Sequence, residues 1–148
     1  MLDLRENEFL TGQVVNIEWD RIFLTLDVEV DFSEEEISDL EFFMVNGLYE
    51  VKGKFKVLEC SNKRYRLRIN ITNNGQNRCY PLGTYNIYVC KGEKFFGLCK
   101  TAMEIADKLE KSSRNFLYAN RSKVYTVSFF VKDDVEDTIF EIYMMASS

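Results

Sequence analysis

The chain has 148 residues, enough for one domain, and its 46% hydrophobic and 29% charged content without a low-complexity run excludes a disordered polypeptide. A domain of this length buries about two-thirds of its unfolded surface and needs no metal or disulfide to hold it together. The net charge is −5 and histidine is absent, which removes Ser-His and Cys-His nucleophile pairs, imidazole metal ligands and the usual proton shuttle near neutral pH, so an enzyme is the weakest reading of the residues alone.

The opening Met1–Glu8 is acidic and polar where a secretory signal needs a basic and then an apolar stretch, and no apolar run approaches the roughly 20 residues that span a bilayer. A cytoplasmic chain is expected. From Gln13 to Trp19 the residues alternate, with Val15, Ile17 and Trp19 on one face, and the polar pair Asp20-Arg21 marks a tight hairpin into Arg21–Val30. There Ile22, Leu24, Leu26, Val28 and Val30 face inward against Thr25, Asp27 and Glu29. Glu41–Val45 reads as a third strand, closed by the turn signal Asn46-Gly47.

Tyr49–Val57 alternates Tyr49, Val51, Phe55 and Val57 against Glu50, Lys52, Lys54 and Lys56. After a turn at Ser61-Asn62-Lys63, Arg64–Ile71 sets Tyr65, Leu67, Ile69 and Ile71 against Arg64, Arg66, Arg68 and Asn70. Antiparallel pairing of these two segments would build one cationic sheet surface, at a cost in stability unless solvent or an anion screens it. Asn73–Asn77 is a loop by composition. Thr84–Cys90 and Lys94–Leu98 read as strands, and Thr101–Glu104 fits a capping box opening a short helix over 102–110. Asn115–Ala119, Lys123–Val131 and Thr138–Met145 are the closing strands, the last two joined by an acidic turn over 133–137. Eight or nine short strands with one short helix predict a mainly β chain, an antiparallel β-sandwich filling residues 1–148 as a single domain.

Charge is unevenly spread. Residues 1–50 hold fourteen acidic against two basic residues, and residues 51–70 hold seven basic against Glu59 alone. Lys52, Lys54, Lys56, Arg64, Arg66 and Arg68 are therefore candidate contacts for a polyanion, since spaced cations replace counterions along a phosphate chain. The alternative is a solvated outer face whose lysines discourage edge-to-edge association. Tyr80, Tyr85, Tyr88, Tyr118 and Tyr125 can serve as flat platforms for sugar rings, with Tyr85 and Tyr88 the candidates for stacking, or can build the core, as Trp19 is expected to. Glu34-Glu35-Glu36 and Asp133-Asp134 read as solvated turns rather than a catalytic pair held in a pocket. Neither a G-x-G-x-x-G nor a Walker-type loop occurs, and Cys60, Cys79, Cys90 and Cys99 form no C-x-x-C pair. Reduced thiols, no metal, no cofactor and no catalytic residue are expected.

The stretch Tyr80-Pro81-Leu82-Gly83-Thr84-Tyr85-Asn86-Ile87-Tyr88-Val89 resembles the P-x-G-x-W-D-x-Y-V strand of the N-terminal, immunoglobulin-like β-sandwich regions of teichoic-acid and capsule polymer transferases, the CDP-glycerol glycerophosphotransferases and allied glycosyltransferases. The Val15–Arg21 hairpin, the basic Tyr65–Ile71 strand and the closing Tyr125–Phe130 strand extend the likeness over most of the chain, while Tyr85 and Asn86 replace the motif's Trp and Asp. The resemblance implies an immunoglobulin-like sandwich that is a non-catalytic accessory module in bacteria, acting in the cytoplasm at the inner membrane face. Such a module docks its transferase catalytic domain or contacts phosphate-rich wall or capsule polymer through the six cations. Peripheral membrane association is compatible with this, and nucleic acid is not expected as a partner. Two other classes stand beside it: a protein-interaction or homo-oligomerisation β-sandwich, and a glycan-binding module.

Overall fold

The computed structural model describes residues 11–31, 40–47, 51–61, 63–73, 80–91, 95–117, 124–133 and 138–146. Most of them are in strands: β1 (Thr11–Asp20), β2 (Phe23–Asp31), β3 (Leu40–Asn46), β4 (Val51–Lys54), β5 (Lys56–Ser61), β6 (Arg64–Asn70), β7 (Gly83–Lys91), β8 (Phe95–Thr101), β9 (Arg114–Leu117), β10 (Val124–Asp133) and β11 (Thr138–Ala146). Between β8 and β9 a 3-10 turn, Met103–Ile105, runs into the short helix α1 (Ala106–Glu110). No helix among the described residues is long and apolar enough to cross a membrane.

Alternation predicts the buried faces of β2 and β6, and β7, whose inner face the sequence left open, follows the same period. Leu24, Leu26, Val28 and Val30 of β2, Tyr65, Leu67 and Ile69 of β6, and Tyr85, Ile87 and Val89 of β7 are all buried. Strand β1 departs from its expected phase because a bulge lies between Val14 and Asn16. The extra residue shifts the alternation, so Val14 and Ile17 both reach the core while Val15 and Trp19 are half-buried. Ile22, expected inward, sits in the two-residue turn after Asp20 and is exposed.

The eleven strands form one sheet of order β4-β3-β7-β11-β8-β1-β2-β6-β5, with β10 and β9 added beyond β11. One edge of β7 is shared: Gly83–Asn86 pairs with β11 and Tyr88–Lys91 with β8. Strands β1 and β8 run parallel, through Gly12 opposite Cys99 to Val14 opposite Thr101. The expected antiparallel two-sheet sandwich is therefore corrected to a mixed sheet that curls until it is nearly closed into a barrel, and this strand order does not describe two facing immunoglobulin-like sheets.

Closure happens at Phe55. Strands β4 and β5 lie at opposite ends of the sheet order, yet Phe55 alone separates them in the chain. The strand expected over Tyr49–Val57 breaks there: the Phe55 side chain is buried and its N–H donates to the Phe42 carbonyl of β3 at 2.9 Å. Phe42 and Tyr65 of β6 meet across the seam with ring centroids 5.0 Å apart. Gly53 is buried just before the break, where a Cβ would run into the Tyr80 hydroxyl. Past the seam β5 is exposed along its whole length, Val57 included.

The capping box is not realised. Thr101 is the last residue of β8, and Ala102 stands at the helix start without a side-chain cap, so the helix is shorter than 102–110 and enters through a 3-10 turn. Its apolar spacing is nonetheless used: Ala102, Ile105 and Leu109 are buried. Trp19 pins this corner, its Nε1–H donating to the Ser112 carbonyl at 2.7 Å and its ring lying against Phe116 and Phe129.

Candidate functional site

On the outer face of the barrel, β6 presents Arg64, Arg66 and Arg68. Its neighbour β2 opposes them with Glu29, Asp27 and Thr25 respectively, and β5 opposes them with Ser61, Glu59 and Lys56. Beyond β2, the carboxylates of β1 reach over. Arg64 pairs with Asp27 at 3.2 Å and lies 4.0 Å from Glu29, Arg66 pairs with Glu18 at 2.9 Å, and Arg68 stands 3.6 Å from Asp20. Asp27 is buried beneath this lattice, and the Asn16 amide also donates to it at 3.5 Å. All three arginines thus face an acidic row, Arg64 and Arg66 at hydrogen-bond distance and Arg68 at the longer 3.6 Å.

The six candidate cations do not form one stripe. Lys52 and Lys54 belong to β4, where Lys52 lies over the Phe43 ring at 4.8 Å and Lys54 pairs with Glu41 at 2.7 Å. Barrel closure does bring Lys54 to Lys56 and Arg68, which with Phe23, Leu58 and Asn70 line a hollow of about 370 Å³. A second hollow of about 440 Å³ is lined by Asp27, Glu29, Glu59, Ser61, Arg64 and Arg66. The outer face therefore has a basic end at the seam and a mixed, nearly balanced end away from it.

Of the two tyrosines expected to stack on sugars, Tyr85 is wholly buried and offers no platform. Its hydroxyl donates to the Pro81 carbonyl at 2.6 Å, and its ring packs edge-on against Tyr80. Tyr88 is half-buried on the outer side of β7, opposite Phe43. Tyr80 and Tyr125 are core residues, and Tyr118 lies outside the described residues. Burial pushes the Tyr80 hydroxyl up to about 12 and raises those of Tyr85 and Tyr65 as well, the latter helped by a hydrogen bond with Cys60. Asn86 donates from Nδ2 to the Phe140 carbonyl at 3.3 Å, tying β7 to β11. Gly83 has φ +127°, a conformation that favours glycine. The motif residues Gly83, Tyr85 and Asn86 are thus accounted for by folding.

Cys60 is exposed, Cys90 and Cys99 are buried, and burial drives the Cys99 thiol upward, away from thiolate chemistry. Cys79, Glu34-Glu35-Glu36 and Asp134 lie outside the described residues. Among the described residues no group of three or more His, Cys, Asp or Glu is placed to hold a metal ion. Sequence reasoning missed two features. One is the acidic counter-row of Glu18, Asp20, Asp27 and Glu29, whose alternation was visible but whose neighbour was not. The other is an exposed apolar group on β10 and β11, where Phe130 and Met145 are each 50% exposed and Tyr143, 37% exposed, touches Phe130.

These features define a nearly closed, strand-built module with a charge-patterned outer face. No family model matches the chain, and no curated protein matches it. Solved structures give its likeness: the chain is similar to the crystal structure of S. aureus TarS 217–571, with a TM-score of 0.67 and 13% identity over 93% of this chain and 39% of that one. It is similar also to the crystal structure of S. aureus TarS, with a TM-score of 0.69 and 12% identity over 93% of this chain and 25% of that one. The fold is TarS-like, and the chain spans well under half the length of either structure.

Proposed function

We propose that this chain is a non-catalytic accessory module of a bacterial cell-wall or capsular polymer transferase of the teichoic-acid type, which contacts the phosphate-rich polymer or docks the catalytic domain. The TarS-like fold over 93% of the chain carries this reading, together with the Tyr80–Val89 likeness to teichoic-acid transferases. The module acts in the cytoplasm, at the inner membrane face where lipid-linked polymer is elongated. Polymer contact falls to the basic end of the outer face, because Arg64 and Arg66 at the other end are hydrogen-bonded to carboxylates. At the seam, by contrast, Lys56 has no carboxylate partner among the described residues and Arg68 meets Asp20 only at 3.6 Å. The test is retention on an immobilised glycerol-phosphate polymer, with release expected as salt rises from about 50 to 200 mM. Retention unaffected by a Lys54→Glu/Lys56→Glu double substitution at that end overturns polymer contact. Failure to retain the transferase catalytic domain as well overturns the whole reading.

A second reading, a protein-interaction module, is favoured by one observation: Phe130, Tyr143 and Met145 form an exposed apolar group on neighbouring strands. It predicts that Phe130→Ser abolishes binding to a protein partner and leaves polymer retention unchanged.

A further inference from the structure

We infer that the hollow at the β4–β5 seam is a discrete site for one phosphate group attached to a small organic unit, held by Lys54, Lys56, Arg68 and the Asn70 amide. This deepens the polymer-contact reading and rests on it for the source of the phosphate.

The seam itself brings the cations together. Lys54 and Lys56 flank Phe55, so turning Phe55 into the core sends both lysines outward, and the register sets Lys56 directly opposite Arg68. On β6 the other two rungs are compensated, Arg66 by Glu59 and Asp27 on either side, and Arg64 by Glu29 beside the neutral Ser61. The Lys56–Arg68 rung places two like charges face to face, with the neutral Thr25 on the other side, an arrangement that destabilises a sheet unless an anion completes it. Asp20 reaches Arg68 only at 3.6 Å, Glu41 holds Lys54, and Lys56 has no carboxylate partner among the described residues. The Arg68 Nε–H is buried without a hydrogen-bond partner. That is an unmet donor on a group whose planar fork matches phosphate oxygens.

The donors are also held in place. The Arg68 guanidinium lies on the Phe23 ring, 3.9 Å from its centroid, which sets its plane. Asn70 Oδ1 accepts from the Thr72 N–H at 2.9 Å and from the Thr72 hydroxyl at 2.8 Å, leaving Nδ2 as the end of the amide free to donate to a ligand. An apolar wall completes the hollow: Phe23, and Leu58, which stands at the bulge between Val57 and Glu59 and is 40% exposed. A bare ion has no use for that wall, whereas a phosphate ester does. The volume, about 370 Å³, suits one esterified phosphate with its carbon unit rather than a long stretch of chain.

Isothermal titration of the whole chain with inorganic phosphate, glycerol phosphate and glycerol-phosphate polymer tests this. Glycerol phosphate is expected to bind one to one and more tightly than inorganic phosphate. Lys56→Gln should weaken it about tenfold, the loss of one charge-assisted hydrogen bond, and Arg64→Gln by less than about twofold. Unchanged melting of both variants shows that folding is intact, and Lys54→Gln supplies a second reading of the same site. Equal effects of Lys56→Gln and Arg64→Gln, or no binding of either small phosphate, overturn the site. Polymer binding that is indifferent to Lys56→Gln overturns the site and leaves the polymer reading standing. Glycerol phosphate bound at Lys56 without any polymer binding upholds the site and overturns the polymer reading.

Discussion

The two ends of strand β6 carry the same residue at the same spacing and have opposite fates. At Arg64 and Arg66 the neighbouring strands bring Asp27, Glu29, Glu59 and Glu18 within reach, and the guanidinium groups become part of the sheet's own charge balance. At Arg68 the strand neighbours are Thr25 and Lys56, and the one carboxylate within reach, Asp20, stands at 3.6 Å, so the charge is only loosely matched. The difference lies in strand order and in the seam at Phe55, not in the arginines. A run of cations in a sequence thus becomes a binding surface only where the fold withholds its counter-charges.

The comparison breaks most severely at the seam. Phe55→Ala should cost about 3–5 kcal/mol in urea denaturation, and phosphate binding should be lost with the hold on Lys54 and Lys56; an unchanged midpoint would refute closure at this residue. Raising the pH tests the buried side of the same barrel. Tyr65, Tyr80, Tyr85 and Cys99 are all protonated and neutral in the fold, with their ionisation raised by burial. The unfolded chain therefore releases these protons first. Stability is whole below the ordinary thiol value of 9.0 and declines through the ordinary tyrosine value of 10.0 toward about 12 for Tyr80. Denaturation midpoints that stay level from pH 9 to 12 would contradict this.

A smaller effect is expected at the balanced end. Asp27→Asn removes the charge that holds Arg64, costing roughly 1–3 kcal/mol, and should make Arg64 newly available to a polyanion, erasing part of the contrast between the two ends. Weaker polyanion binding by this variant would argue against the contrast. The smallest change is Glu41→Gln. Freeing Lys54 from its exposed partner should raise phosphate affinity about twofold with no measurable change in melting, and a fall in affinity would show that Glu41 positions the lysine.

Much of the fold was legible in the residues. Alternation placed the inner faces of β2 and β6, because a period of two needs no knowledge of neighbours. The bulge in β1, the break at Phe55 and the parallel pairing of β1 with β8 were not legible, since each is imposed by closing the sheet on itself. The site was half legible. Lys54, Lys56 and Arg68 stood among the six predicted cations, but the pairing of Arg64 and Arg66 with acids far away in sequence depended on strand order. Tyr85 looked like a platform because a tyrosine in a strand reads alike on either face, and only packing against Tyr80 and Pro81 decides.

The most direct measurement is the Arg68 Nε–H resonance during a glycerol-phosphate titration. A seam-bound phosphate predicts a saturable one-to-one shift and slowed proton exchange at Arg68, with Arg64 and Arg66 still. An unmoved Arg68 signal, or equal movement of all three arginines, would contradict it.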